Sequence, residues 1–361
     1  MEKMGLNVQS DFWYDKCVFI TGHTGFKGGW LSLWLQNMGA KVHGYALRPP
    51  TEPNLFSVAE IGKNMSSSEI SDIQDANKLR NVMQTVRPDI VFHLAAQPLV
   101  HYSYDHPTET YATNVMGTVN LLEAVRVTPG VKVVVNVTTD KCYENREWVW
   151  GYRENDPMGG FDPYSSSKGC AELVTTAYRR SYFESTGIAL ASARSGNVIG
   201  GGDWSENRLI PDFLRALDTG EALEIRSPLS TRPWQHVLEP LSGYLMLAEQ
   251  LYLKGASFAE AWNFGPTHKD MCSVQWIVEH LTKIRKDINW QYDGKLQPHE
   301  AHNLKLDSSK AHSQLGWESK WHLETALKKT IEWHQAWLDK QNMHAFTLKQ
   351  IAEYESSHVT L

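Results

Sequence analysis

Two short runs hold most of the side chains able to move protons. Thr138-Thr139-Asp140-Lys141 follows the apolar run Val133 to Val137, and Tyr164-Ser165-Ser166-Ser167-Lys168 follows a polar, aromatic loop. A tyrosine and a lysine four apart share one face of a helix. An ammonium near a phenol stabilises the phenolate and brings the tyrosine pKa down from about 10 towards neutrality, as a general base needs. Asp140 and Lys141 can be read as a solvated surface pair of little consequence. At a strand end facing a cleft they become an acid and a base with separated pKa values, the preferred reading. The β-branched run before them reads as a buried strand, and open α/β sheets bind ligands beyond the carboxyl ends of their strands. Thr139, Asp140, Lys141, Tyr164 and Lys168 are therefore expected to meet in one cleft.

The elements that must position them begin with Cys17-Val18-Phe19-Ile20, a buried strand leading into Gly22-His23-Thr24-Gly25-Phe26-Lys27-Gly28. Glycines at 22, 25 and 28 permit a tight turn and close approach of a pyrophosphate, and the following helix offers free N–H groups. A second strand, Lys41 to Leu47, is followed by Arg48 where NAD-preferring folds usually place an acid; the arginine could accept a 2′-phosphate, stack on adenine or be solvated. A third strand runs from Glu69 to Ile73 with Asp72 and Ile73 at its end, and a fourth from Ile90 to Ala96. A long helix then passes through Asn114 to Val125, and Gly187 to Arg194 gives one more strand. This alternation predicts an α/β protein with a doubly wound parallel Rossmann sheet. After Arg194 the texture becomes glycine-rich and mixed. Residues 1–194 are read mainly as the nucleotide-binding domain. Residues 195–361 are read mainly as a smaller mixed α/β substrate lobe, with segments returning to the sheet. A helix from Ser273, a strand around Trp290 to Tyr292 and a closing helix from Leu323 to Leu338 are expected there, with Trp333 and Trp337 packed.

Composition narrows the classes. Hydrophobic residues at 42% and charged residues at 21% are ordinary for a soluble globular chain. No apolar run approaches the roughly 20 residues of a membrane span. The polar stretch Met1 to Trp13 does not read as a signal peptide. A net charge of −6 without a basic block argues against nucleic acid. Cys17, Cys142, Cys170 and Cys272 are scattered, which suits reduced thiols in a cytoplasm. His101 and His106 could line the cleft, but no histidine spacing suggests a metal. Arg194, Arg208 and Arg232 suit ordinary ion pairs; Arg232, beside Pro233 and Trp234, also suits a diphosphate clamp. Trp204, Trp234 and Tyr292 either fill core or stack on a base or sugar ring.

On TGHTGFKG (Thr21 to Gly28), Asp72-Ile73, HLAAQ (His93 to Gln97), Asn114, TTDK (Thr138 to Lys141) and YSSSK (Tyr164 to Lys168), the chain resembles the extended short-chain dehydrogenase/reductase family. The acid after the active-site threonine resembles the nucleotide-sugar 4,6-dehydratases. SGNVIGGGDWSENRLIPD (Ser195 to Asp212), RPWQHVLEPL (Arg232 to Leu241) and TTDKCY look like the branch acting on CDP-glucose. The resemblance implies C4 oxidation, loss of water across C5 and C6, and reduction at C6 on one bound NAD. It implies roles for Tyr164, Lys168 and Thr139 at C4, Lys141 as the C5 base and Asp140 as the acid at the C6 hydroxyl. Gly22 to Gly28, Arg48, Asp72, Ile73, Leu94, Ala95, Ala96, Gln97, Asn114, Thr138, Tyr164 and Lys168 would hold the cofactor. Asn197 would meet the substrate diphosphate and Arg232 clamp it. Gln97, His101, Thr139, Arg208, Leu209, Trp234, Asn263 and Tyr292 would lie near the sugar nucleotide. A homodimer or homotetramer through the helices of Asn114 and Tyr164 is implied. A 4-epimerase of the same fold and a non-catalytic NAD(P)-sensing protein are the alternatives.

Overall fold

Strand residues divide by parity between two cores, because successive side chains in a strand point to opposite faces. The strands are β1 (Cys17–Thr21), β2 (Lys41–Ala46), β3 (Ser67–Ile70), β4 (Ile90–His93), β5 (Val133–Val137), β6 (Ala189–Ser195) and β7 (Ala261–Phe264). Val18, Ile20, Ile90, Phe92, Val133, Val135, Ala189 and Ala191 enter one core. Phe19, Val91, Val134 and Leu190 enter the other. The structure, a computed structural model, describes residues 8–285, 289–292, 294 and 303–358; residues 1–7 of the polar N-terminal stretch lie outside these.

The strands form one sheet in the order β7-β6-β5-β4-β1-β2-β3, and every pairing is parallel. The order reverses between β1 and β4, so a crevice opens beyond their carboxyl ends. On one face lie α1 (Phe26–Asn37) and, from the far end of the chain, three longer helices described below. On the other lie α2 (Ala76–Val86) and α3 (Gly117–Arg126), through Leu79, Met83, Leu121, Leu122 and Val125. Helix α4 (Pro163–Tyr178) starts with Pro163 and is capped by Asp162, whose carboxylate accepts from Ser165 N.

A second lobe is built from α5 (Leu209–Thr219), the parallel pair of short strands Leu223–Ile225 and Trp290–Tyr292, and α7 (Val274–Ile284), around Phe213, Ile225, Ile277 and Leu281. Between these elements in the chain, α6 (Leu238–Lys254) and β7 return to the sheet. Helix α8 (Leu323–Leu338) spans both parts: Leu323 and Leu327 pack in the lobe, Trp333 and Ala336 in the sheet core. A further helix, α9 (Met343–Ser356), follows and was not anticipated. It packs against α1, with Tyr354 edge-on to Trp34.

Local bonding moves several expected boundaries. β3 ends at Ile70, because the Asp72 carboxylate accepts from Gln74 N and turns the chain. β4 ends at His93, because Leu94 N and Ala95 N both donate to Thr21 Oγ1 and draw the chain to the end of β1. The long helix expected through Asn114 to Val125 is present, and helical backbone runs from Pro107, at a first-turn position that needs no N–H, on to Arg126. A wider five-residue turn, Ala112–Met116, then precedes α3. No helix among the described residues is long and apolar enough to cross a membrane.

Candidate active site

The carboxyl ends of β1, β2, β4, β5 and β6 open on a cleft of about 550 Å³ that continues into the second lobe. Thr138, Thr139, Asp140, Lys141, Tyr164 and Lys168 all line it. Thr139 caps a short 3₁₀ turn, Asp140–Cys142, and its Oγ1 accepts from Lys141 N at 3.3 Å. The same hydroxyl donates to Asp140 Oδ1 at 2.9 Å and is hydrogen-bonded to the Tyr164 phenol. One threonine therefore fixes the relative positions of the acid, the lysine backbone and the tyrosine.

Asp140 is buried, and its Oδ2 has no hydrogen-bond partner among the described residues. Burial raises its pKa, opposed by the charge of Lys141, the Thr139 hydroxyl and the charges of Arg232 and Lys27. A carboxyl with a bare oxygen and a raised pKa suits proton donation. The Tyr164 pKa moves opposite to expectation. Burial pushes it up to about 12, although the bond to Thr139 pulls down. Lys168 donates to Val137 O at 3.4 Å, and burial lowers its pKa to about 8. Proximity of a lysine in sequence did not outweigh desolvation of the phenol.

Below this layer lies a network the sequence did not reveal. Glu172, one helical turn beyond Lys168, pairs with Arg194 of β6 through Nε at 2.9 Å and Nη2 at 2.8 Å. Thr138 Oγ1 and Ser192 Oγ also donate to this carboxylate. Burial opposes its charge, yet Arg194 and these donors hold its pKa below the ordinary value. The Thr138 hydroxyl is thus directed at Glu172, while the residue itself still borders the cleft. The signal was present as spacing: residues 164, 168 and 172 recur at i, i+4, i+8. Lys27 also reaches across from the glycine-rich turn, donating to Ser195 Oγ at 2.8 Å, with Tyr244 OH on the same oxygen.

The turn itself fits a closely approaching group. Gly22 has φ +79°, and a Cβ there would meet Ala95 N at 2.7 Å. A Cβ on Gly28 would meet Gly22 O at 2.1 Å, so helix α1 begins directly on the turn. Thr24, Gly25, Phe26, Lys27, Arg48, Asp72, Ile73, Leu94, Ala95 and Ala96 line the cleft beside these glycines. Three residues expected at the cofactor stand behind the wall instead. His23 is buried under Gly44, with Nε2 bonded to Ser68 Oγ at 2.7 Å. Gln97 bonds Leu99 and Thr110, which also removes it from the substrate. Asn114 holds Gln97 N and O and donates to Ser167 Oγ at 2.8 Å, tying its helix to α4.

Towards the second lobe, His101, Asn197, Arg208, Leu209, Arg232 and Trp234 line the cleft, joined by Ser195, Glu224 and Arg226. Arg208 is paired with Asp203 at 3.0 Å, and Arg226 Nη1 lies 2.8 Å from His101 Nε2. Trp234 is held by a bond from Nε1 to Cys272 O. Asn263 and Tyr292 are not at the cleft. Asn263 is buried in β7 and bonded to Tyr143, Tyr152 and Asp307, because its strand is covered by the loop after β5. Tyr292 is exposed on the edge of the short strand pair. His106 stacks on Tyr102 away from the lining, and Trp204 packs edge-on against Trp333 and Trp337. Among the described residues no group of three or more histidine, cysteine or acidic side chains could hold a metal.

Comparison with known proteins agrees with this geometry. The family described as GDP-mannose 4,6 dehydratase matches residues 19–330. A CDP-glucose 4,6-dehydratase of Salmonella typhimurium is 55% identical over 97% of this chain and 99% of its own length. The solved structure of MoeE5 in complex with UDP-glucose and NAD is 25% identical, with a TM-score of 0.75 over 89% of this chain and 99% of that one. A dTDP-glucose 4,6-dehydratase structure from Bacillus anthracis shares the fold, with a TM-score of 0.72 and 24% identity over 90% of this chain and 98% of its own.

Proposed function

From the premise that this chain belongs to the GDP-mannose 4,6-dehydratase family, we infer that it is a hydro-lyase converting CDP-glucose to CDP-4-keto-6-deoxyglucose and water on bound NAD. The identity of the sugar nucleotide rests on the Salmonella relative, matched almost end to end. NAD is supported by the complex of MoeE5 and by the cradle of Gly22 and Gly28, which a side chain would fill. The observation that carries elimination is Asp140: a buried carboxyl with one bare oxygen, beside the threonine that also holds Tyr164.

The bound nicotinamide supplies a two-electron acceptor for C4, a donor for C6 and a positive charge. Tyr164 takes the proton of the C4 hydroxyl as C4 is oxidised, with Thr139 bridging it. A phenol pushed up to about 12 needs added positive charge before it can act as a base near neutrality. Lys168 contributes that charge in part, since at pH 7 it lies below its pKa of about 8 and is protonated. The 4-keto group acidifies C5–H, and Lys141, at the mouth of the turn, takes this proton. Asp140 gives its proton to the C6 oxygen, so the C6–O bond breaks and water leaves. Lys141 then returns a proton to C5. Asn197 and Arg232 are assigned to the diphosphate, with Arg208 and Trp234 towards the nucleoside.

A C4 epimerase needs no proton donor for a leaving oxygen, so Asp140 favours the dehydratase. Incubating the protein with CDP-, UDP-, dTDP- and GDP-glucose in heavy water tests the reading. The expected product is the 4-keto sugar from CDP-glucose with solvent hydrogen at C5. A C4 epimer without a 4-keto product would reject it. We also assign a homodimer or homotetramer, on the neighbouring helices that leave Tyr111, Met116 and Leu173 exposed. A cytoplasmic setting accords with four free cysteines.

A further inference from the structure

Glu172 and Arg194 take no part in the proton transfers described above, yet their ion pair is almost fully shut off from solvent, at 2% and 3% exposure. Apolar packing of the same volume would hold a core as well as a buried ion pair does, so what the pair adds is fixed geometry. Both of its ends reach the catalytic turn. Thr138, where that turn begins, donates to Glu172 Oε1. At the other end Arg194 Nη1 donates to Tyr143 OH at 2.6 Å, and the guanidinium lies 4.9 Å from the centre of the Tyr143 ring. Tyr143 OH in turn donates to Asn263 Oδ1 at 2.7 Å, so the anchor extends to β7. The pair thus grips residues 138 and 143, and the residues between them include Thr139, Asp140 and Lys141. The turn also lies directly on α4: a Cβ on Gly169 would meet Cys142 O at 3.3 Å. Glu172 has a second neighbour in Lys168, one helical turn before it. Tyr164 and Glu172 share the helix face of Lys168, and Cys142 after β5, Lys27 of the glycine-rich turn and His93 at the end of β4 act on it from the other elements. Of these groups Glu172 alone is a carboxylate.

We propose that the Glu172–Arg194 pair is a positioning unit for the reaction: it fixes the turn from Thr138 to Tyr143 at both ends and sets a negative charge behind Lys168. The proposal rests on the dehydratase reading and adds two residues that act through others. It is tested on the NAD-bound protein in single turnovers with CDP-glucose, following NAD reduction by absorbance and water loss by the 4-keto-6-deoxy product. C4 oxidation needs Lys168 charged, so NAD reduction slows as pH rises through the Lys168 pKa of about 8. Glu172→Gln removes the charge that raises this pKa, and the alkaline limb should move down by about one pH unit. A loss of packing alone lowers Tm or scales the rate equally at every pH. Tyr143→Phe keeps the ion pair but releases the far end of the turn. It should slow water loss by about tenfold more than it slows NAD reduction, because Asp140 and Lys141 lose their alignment. This variant decides alone if Glu172→Gln does not fold. An unmoved limb in folded Glu172→Gln, or equal effects on both steps in Tyr143→Phe, overturns the proposal and leaves the dehydratase reading intact. No NAD reduction by the parent protein with any glucose nucleotide overturns both.

Discussion

Asp140 and Lys141 are adjacent in the chain but differ in surroundings, and their variants should fail differently. Asp140 is buried with Oδ2 bare, whereas Lys141 is only partly buried at the cleft wall. Asp140→Asn keeps the shape but removes the donor. It should still oxidise C4 and exchange C5 hydrogen with solvent, while water loss slows by about 10²- to 10⁴-fold. Lys141→Ala should oxidise C4 but fail to exchange at C5, so a 4-keto glucose nucleotide accumulates in a single turnover. Full turnover by the lysine variant would mean another base serves C5. The raised pKa of Asp140 fixes the sign of its pH dependence. The donating form persists to higher pH than for an ordinary aspartate, and the elimination rate falls as pH rises through that pKa. A pH profile of water release measures this limb, which Asp140→Asn should flatten.

Helix α9 is tied to α6 through the Tyr354 phenol, bonded to the buried Glu239 carboxylate and to Ser242 Oγ, which makes an element-scale prediction. Glu239 accepts from Lys320 N, Trp321 N and Tyr354 OH, yet burial raises its pKa to about 7. A folded pKa above the ordinary 4.5 means that the folded protein binds the proton more tightly. The contribution is full below 4.5 and is lost as pH rises through about 7. Buried His23, His93 and His236, lowered to about 4, 3 and 3, act in the opposite sense below their ordinary 6.5. The informative quantity is therefore the difference in Tm between parent and Glu239→Gln. The parent's advantage should shrink from about pH 5 to about pH 8. A constant difference would mean that Glu239 stays ionised throughout.

Across the whole molecule, the two halves of the chain are not independent bodies. α6, α8 and α9 cover the sheet face carrying Val18, Ile20, Phe92 and Val135, and β7 pairs the outer edge of β6. A fragment of residues 1–194 would expose that face and an unpaired parallel edge, which invites aggregation. It should be insoluble or lack cooperative melting, whereas co-expression with residues 195–361 should restore a folded complex. A soluble fragment with a sharp thermal transition would show that the sheet stands without its C-terminal cover. Truncation before Met343 is milder: it uncovers Trp34 and removes buried Met343, Ile351 and Tyr354. Each such side chain is worth roughly 1.5–3 kcal/mol, so a large drop in Tm is expected.

Much of this was legible in the residues. Strand parity, the glycine turn and the order of motifs are properties of neighbours in the chain, and they determined the doubly wound sheet. The crevice beyond its strands, with Thr139, Asp140, Lys141, Tyr164 and Lys168 around it, followed from the same local order. What the chain order did not determine was which polar side chain faces ligand and which faces protein. Gln97, Asn114 and Asn263 lie in motifs near the cleft but are drawn behind its wall by partners distant in sequence, from Thr110 to Asp307. Glu224 and Arg226 reach the cleft because the second lobe folds over it. The upward shift of Tyr164 belongs to the same class. Desolvation sums over every atom packed around the phenol, and only the tertiary structure assembles them.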